Sequence, residues 1–278
     1  MSRYQTPSPE AIASRLKAGY GQGHGKDYKP WFEATSIRSR GRLVRTVSTT
    51  TGCPMNLVSE LEGSIQLLGD FDLTVSEQYE QVVLRPELTY PIARRLKVRH
   101  IRAWKGRHLL PMTTDLVFCF ADNPRGNQIA VSVKYQSDLT GRRGRRTNGQ
   151  LAVEEQYHRM EGRRYVVATE AHTPPLLMSN LRWLRESLRN GSSCVSDQRQ
   201  ADFEVAFQKR TRVDQTIGAR IGSAAGRAHI GFDAGIDAFR RGVWFRRIPA
   251  DLNHWLRLNC EIVAPRGPNQ GVTFPWTH

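Results

Sequence analysis

Apolar and polar positions alternate along this chain in two periods, and the switches between them mark its elements. Ser8-Pro9 followed by Glu-Ala-Ile-Ala-Ser-Arg-Leu-Lys predicts a helix over about 9–17, capped by Ser8, opened by proline and stopped at Gly19. Residues 33–50 alternate with period two, which predicts a β-hairpin around Gly41, closed at Thr51-Gly52. Leu57, Leu61, Ile65 and Leu68 form the apolar stripe of a helix over about 57–68. Asp115–Ala121 and Gln128–Tyr135 read as strands joined by Asp-Asn-Pro-Arg-Gly-Asn. A helix over 151–160 and a strand over 163–169 follow.

His172-Thr-Pro-Pro175 breaks this pattern, and beyond it the chain changes character. Residues 176–188 and 196–209 read as helices, Gly/Ser-rich 217–226 as a separator, and the tail as mixed, with Trp244 and Trp255. The expected organisation is an α/β domain over 1–170 and a small, mainly helical, winged-helix-like binding domain over 171–278.

Composition narrows the partners. Of 278 residues, 39% are hydrophobic, enough for a buried core, and 41 Lys and Arg against 26 Asp and Glu give a net charge of +15. Such a surface favours polyanions, nucleic acid first. Cys53, Cys119, Cys194 and Cys260 lack the paired spacing of a zinc site or redox pair, which predicts free thiols in a reducing compartment. No apolar run approaches the roughly 18 residues of a membrane span, so the chain reads as soluble and cytoplasmic. Two basic stretches stand out. Gly141-Arg-Arg-Gly-Arg-Arg-Thr-Asn-Gly149 reads as a flexible loop whose Arg142, Arg143, Arg145 and Arg146 would clamp phosphates. Residues 94–107 add seven Lys and Arg, Lys105 and Arg107 among them, around Trp104.

The candidate chemistry lies between these stretches. Centring the turn on Pro124 and Arg125 sets Asp115 directly opposite Lys134, with Ser132 on the same polar face and Ile129, Val131 and Val133 on the core face. Glu62 flanks the apolar stripe of its helix and Glu60 lies on the other flank; periodicity does not choose between them. A converging Glu62–Asp115 pair with a lysine fits a metal-dependent phosphodiesterase site: carboxylates hold Mg²⁺, and the lysine orients water or steadies the phosphate. A cross-strand ion pair is the plain alternative. The spaced glycines of Gly19-Tyr-Gly-Gln-Gly-His-Gly25 do not form a P-loop, because Gly25-Lys26 lacks the earlier glycine and is followed by Asp27. That segment reads as a shaped structural loop.

Several passages, in order, resemble a known family: Arg15-Leu-Lys-Ala-Gly-Tyr-Gly-Gln-Gly-His-Gly-Lys-Asp-Tyr-Lys-Pro-Trp31, Leu57-Val-Ser-Glu-Leu-Glu62, Glu80-Gln81, Thr113-Thr-Asp-Leu-Val117, Gln128-Ile-Ala-Val-Ser-Val-Lys134 and Leu151-Ala-Val-Glu-Glu-Gln-Tyr157. Across about residues 10–185 the chain is similar to the TnsA family, endonuclease subunits of heteromeric Tn-seven-like cut-and-paste transposons. The resemblance implies a restriction-endonuclease-like fold, a mixed sheet flanked by helices. It carries the catalytic glutamate to Glu62 rather than Glu60, the aspartate to Asp115, the lysine to Lys134 and a supporting acid to Glu154. The metal ligands become Glu62, Asp115, the Val133 carbonyl and Ser132, with Mg²⁺ as cofactor and Mn²⁺ as substitute. The family has glutamine where this chain has Ser132, a shorter oxygen donor. The implied activity is cleavage of the 5′ side of transposon ends, beside an integrase-type transposase and an AAA+ ATPase regulator. The alternatives are a self-sufficient restriction or repair nuclease and a catalytically degenerate DNA-binding adaptor.

Overall fold

The two strands around the turn at 122–127 form the middle of a four-stranded sheet. The structure is a computed structural model describing residues 7–32, 43–103, 108–124, 126–188, 195–209 and 215–277, apart from the side chains of 26, 142 and 143. It divides into two compact units, one through His172 and one from Thr173 to Thr277.

In the first unit the sheet order is β3 (Val75–Leu84), β4 (Met112–Phe120), β5 (Gln128–Val133), β6 (Arg164–Ala168). The first three strands are antiparallel and β6 runs parallel to β5, so the sheet is mixed, as expected. Helix α1 (Pro9–Lys17) is capped as predicted, Ser8 accepting from the Ala11 amide at 3.2 Å. β1 (Val44–Val47) pairs with β2 (Pro54–Leu57) across a turn at 49–52, and the hairpin turn expected around Gly41 lies outside the described residues. Asp70 of α2 (Glu60–Phe71) anchors that turn, accepting from the Ser48 hydroxyl at 2.8 Å and the Thr49 amide at 3.1 Å. Leu57 therefore ends a strand, and Ser59 starts the helix.

Strand β3 is missing from the periodicity because its sequence, Val-Ser-Glu-Gln-Tyr-Glu-Gln-Val-Val-Leu, is half polar. Gln78, Glu80 and Gln81 are nonetheless buried, and each is hydrogen-bonded. Gln78 reaches Asp70 at 3.0 Å and Gln66 at 3.2 Å, and Glu80 accepts the Asn56 amide of β2 at 3.0 Å. The glycine-rich segment runs along the outer edge of β3. The Val83 amide donates to the Gly21 carbonyl at 3.2 Å, the Trp31 amide to the Gln81 carbonyl at 3.4 Å, and the Gly25 amide to the Tyr79 hydroxyl at 2.8 Å. Gly21 has φ +70, and a Cβ there would come within 2.3 Å of the Val83 side chain and 2.9 Å of its backbone nitrogen. The unusual segment thus covers an open sheet edge.

The stretch 141–149 is no loop. It forms the first turns of α4 (Gly141–Met160), a helix of 20 residues, about twice the predicted length. Its glycines permit close approach: a Cβ on Gly144 would lie 2.4 Å from the Leu139 carbonyl oxygen, and one on Gly149 3.1 Å from Val98. Val98 follows α3 (Pro86–Arg95).

The second unit holds α5 (Pro175–Arg185), α6 (Asp197–Gln208), α7 (Ile217–Arg227) and α8 (Phe232–Trp244). The Gly/Ser-rich separator is α7, whose Ile217, Ile221, Ala224 and Ala225 face the core while Gly218 lets the Leu258 carbonyl approach. Phe203, Phe207, Phe239, Trp244 and Trp276 fill the interior. Asn180 ties the tail to α5, donating to the carbonyls of Leu252 at 3.0 Å and His254 at 2.7 Å. This unit is mainly helical, as expected. Among the described residues it contains an isolated bridge, Thr216–Glu261, and no strand that would form a wing.

Two outcomes follow for stability. Gly21→Ala adds both a clash and a left-handed backbone penalty, so it should lower unfolding free energy by more than about 2 kcal/mol in denaturant titration. Burial pushes the Glu80 carboxyl from 4.5 to about 7. Folding thus favours its protonated form, a stabilisation complete below about pH 4.5 and lost as pH rises through about 7. Glu80→Gln keeps an acceptor for Asn56 without the charge. It should stabilise the fold at pH 8.5 by on the order of 2–3 kcal/mol and leave it nearly unchanged at pH 4, read as paired thermal midpoints.

Candidate active site

Around Asp115 the sheet changes its alternation. Val117 of β4 clusters with Tyr79, Ala130 and Tyr165, and Tyr165 stacks on His158 of α4, whereas the Phe118 ring lies against Gly69 of α2. Strict alternation would put Thr114 with Phe118, yet the Thr114 hydroxyl lies 2.7 Å from His158 Nε2. The same reset occurs on β3, where Tyr79 and Val82 share one cluster. Between them Gln81, whose place in the register is opposite Asp115, takes φ +52. Gln81 is buried; its amide oxygen accepts from Thr113 at 3.3 Å, and its amide nitrogen has no hydrogen-bond partner among the described residues. A left-handed glutamine within a strand is strained, and the strain sits beside the candidate aspartate.

Asp115 therefore points into the fork where β4 and β5 part. Their pairing runs from Cys119–Gln128 to Leu116–Val131, so its continuation faces Asp115 with Ser132 rather than Lys134. The predicted register is two residues off because the turn begins at Asn123, whose carbonyl takes the Asn127 amide at 2.7 Å, not at Pro124-Arg125. Lys134 still reaches Asp115, along the diagonal. Asp115 Oδ2 accepts from Lys134 Nζ at 2.7 Å and from the Val133 amide at 2.7 Å, replacing the backbone acceptor that β4 withdraws. Lys134 Nζ also donates to the Val133 carbonyl at 3.0 Å. The side chains of Lys134 and Asp115 are 28% and 13% exposed, which leaves the pair reachable from solvent.

Glu62 arrives from the start of α2. Ser59 caps the helix, accepting the Glu62 amide at 3.1 Å, while the Glu62 carboxylate accepts from the Ser59 hydroxyl at 3.1 Å and the Val58 amide at 3.0 Å. This is a capping box, Ser-x-x-Glu, legible as Ser59-Glu-Leu-Glu62 but hidden by the apolar stripe that appeared to start at Leu57. Glu62 is buried and Glu60 exposed. Burial, then the neighbouring charge of Asp115, holds the Glu62 carboxyl well above the usual range.

Glu154 lies behind the fork, fully enclosed on α4. Its carboxylate accepts from the Ser132 hydroxyl and lies 3.5 Å from the hydroxyls of Thr114 and Tyr165. Burial raises Glu154 to about 7, the Lys134 ammonium pulls against this, and Asp115 adds to it. Burial alone would depress Lys134; Asp115, Glu154 and Glu62 outweigh it and hold the ammonium above its ordinary value. His158 is driven to about 3 by burial and stays neutral. Ser132 is fully buried with its hydroxyl committed to Glu154. The Thr114–His158–Glu154–Ser132 group carried no sequence pattern, because its members come from two strands and one helix.

Of the predicted DNA contacts, Arg145 and Arg146 are exposed on the first turns of α4. Lys105 and Arg107 lie outside the described residues, as do the side chains of Arg142 and Arg143. Among the described residues no three His, Cys, Asp or Glu side chains are grouped closely enough to hold a metal ion by themselves. No described helix is long and apolar enough to cross a membrane.

Residues 72–170 match the family model described as TnsA-like endonuclease N terminal, a span that contains Asp115, Ser132, Val133, Lys134 and Glu154. The chain is 34% identical over 173 residues to the Transposon Tn7 transposition protein TnsA of Escherichia coli, a match spanning 62% of this chain and 61% of that protein's length. The sheet that holds Asp115 and Lys134 thus lies within the span that is similar to the TnsA-like endonuclease N-terminal model, and the chain spans about three fifths of the length of the relative it matches.

Proposed function

We propose that this chain is a divalent-metal-dependent DNA endonuclease that cleaves the 5′ side of transposon ends during cut-and-paste transposition. The observation that carries this reading is the meeting of Asp115, the Val133 carbonyl and Lys134 at the β4–β5 fork, electrostatically coupled to Glu62, within a TnsA-like domain. The donors are all oxygens, the chemistry preferred by Mg²⁺, with Mn²⁺ as substitute. Burial and the neighbouring charge of Asp115 raise the cost of ionising Glu62, and a divalent cation held by these carboxylates would offset it, so the residues fit the metal. Glu62, Asp115 and the Val133 carbonyl would hold it; Ser132, bonded to Glu154, would contribute only through water. A metal held there would supply a water of lowered pKa and offset negative charge on the phosphate oxygens.

The remaining work falls to the chain. Lys134 offers its ammonium to a phosphate oxygen or to the attacking water, and Asp115 aims it. Glu154 balances the lysine from behind, where solvent cannot. Arg142, Arg143, Arg145 and Arg146, together with Lys105 and Arg107, would grip flanking phosphates, which positions the duplex without reading its sequence. In this reading residues 1–170 form the nuclease domain and 171–278 the winged-helix-like DNA- and partner-binding domain. The partners are double-stranded transposon ends, an integrase-type transposase and an AAA+ ATPase regulator, in the bacterial cytoplasm.

The reading is tested by mapping nicks in transposon-end duplexes with Mg²⁺, with and without the transposase and ATPase. Partner-dependent nicking on the 5′ side is expected, abolished by EDTA. Asp115→Asn and Lys134→Met should each slow it by about 100- to 1,000-fold, the scale for removing one preorganised electrostatic group. Undiminished cleavage by Asp115→Ala would rule the site out, and vigorous cleavage by the chain alone would favour a self-sufficient nuclease. Joint Arg145→Gln and Arg146→Gln substitution should weaken duplex binding and flatten the slope of log affinity against log salt by about 1 to 2.

A further inference from the structure

Strands β3 and β4 lose a step of alternation at the same rung. On β3, Tyr79 and Val82 share one cluster although they are three residues apart. On β4, Thr114 meets His158, and Val117 packs with the Tyr165 ring that stacks on His158. The rung between is Gln81 and Asp115, and intact pairs frame it, Glu80 with Leu116 and Val82 with Thr114. With both flanking pairs kept, neither strand can turn alone: a rotation of the backbone at Asp115 must be matched at Gln81. That rotation has a chemical use. A side chain on a regular strand stands out of the sheet, yet the Asp115 carboxylate takes the Val133 amide of β5 at 2.7 Å, the place of a backbone carbonyl in an unbroken ladder. To do so it must lie in the plane of the sheet.

Gln81 bears the cost of this turn. It has φ +52 and is 2% exposed, and its amide nitrogen has no partner among the described residues. Such a conformation persists only where its surroundings impose it. The glycine-rich segment does so from the outer edge. The Tyr28 hydroxyl donates to the Glu80 carbonyl, the Trp31 amide to the Gln81 carbonyl at 3.4 Å, and the Val83 amide to the Gly21 carbonyl at 3.2 Å, so β3 is gripped on both sides of the turn and at it.

We propose that Gln81 is a positioning residue: its left-handed backbone, clamped by the glycine-rich segment, turns β3 and β4 together and swings the Asp115 carboxylate onto the Val133 amide and the Lys134 ammonium. The backbone conformation acts here, not the side-chain amide. Its bearing on cleavage rests on the nuclease reading above; its bearing on Asp115 does not.

Amide hydrogen exchange on the full-length chain, resolved residue by residue by NMR, reads the geometry directly. The Val133 amide reports on Asp115. The Lys134 amide, one residue on, donates to the Ala168 carbonyl of β6 at 3.0 Å and is the internal control. Gln81→Gly, free to adopt positive φ, should keep both amides protected. Gln81→Val, whose branched side chain opposes that φ, should speed exchange at Val133 by about tenfold or more and leave Lys134 as it was. Where Gln81→Val does not fold, Gln81→Ala takes its place, with the same sign and a change of about threefold. In nicking assays with the transposase and ATPase, the Val or Ala variant should slow the rate at saturating duplex by about the same factor as its Val133 amide is released, with duplex affinity unchanged, while Gln81→Gly stays within about threefold. Unchanged Val133 protection in Gln81→Val or Gln81→Ala would overturn the positioning role. So would equal loss at Val133 and Lys134, which marks a general loosening of the sheet, or a Gln81→Gly that behaves like Gln81→Val. A wild-type chain that never nicks, with Val133 released in the variants as expected, would instead overturn the nuclease reading and leave the positioning of Asp115 standing.

Discussion

One oxygen of Asp115 must satisfy both a backbone amide and an ammonium, and the arrangement of the first unit follows from that constraint. Where β4 turns away from β5, the Val133 amide loses its ladder partner, and Asp115 Oδ2 takes it up. The ladder on the other side of β5, to β6, runs through Val133–Ala168, so the fork stays open on one side only. A buried carboxylate without partners would cost several kcal/mol. Here Lys134 balances it, and Glu154 in turn draws on Lys134 through the closed side of the sheet. Helix α2 brings Glu62 to the same spot by its first turn alone. The site is a local charge balance set into a break in the sheet.

Much of this was legible and some was not, for identifiable reasons. The strands of β4 and β5 announced themselves because their apolar residues are contiguous and their turn is rich in Asn, Pro and Gly. β3 did not, since Glu77, Gln78, Glu80 and Gln81 look solvated in sequence, whereas three of them are buried and bonded to partners 8 to 32 residues away. Turn chemistry was read too simply at 122–127: proline looked like its centre, while the Asn123 carbonyl in fact closes it. That slip moved Lys134 by two places in the register yet kept it on the same side of the strand, because side-chain direction repeats every second residue.

Glycine misled twice in the same way. Gly141, Gly144 and Gly149 suggested a flexible loop, and Gly218, Gly222 and Gly226 a linker, but both segments are helices. At Gly144, Gly149 and Gly218 the missing side chain admits a carbonyl or a valine from a neighbouring element. Gly21 does the same against β3. Glycine has no single meaning in sequence, because freedom of φ and absence of bulk are separate properties. Only the neighbours tell which one is used, and neighbours are what a lone sequence withholds.

The capping box at Ser59 and Glu62 has a bearing on how related chains are to be read. The same carboxylate that faces the fork also holds the entry to α2, accepting from the Val58 amide and from the hydroxyl of the capping Ser59, so two selective pressures act on one position. A descendant that had abandoned chemistry would still have reason to keep an acid there, simply to start its helix. An intact glutamate at this place therefore says little about whether such a chain cuts. Asp115 and Lys134, which hold each other in place, are the better witnesses, since losing either leaves a buried charge without its counterpart.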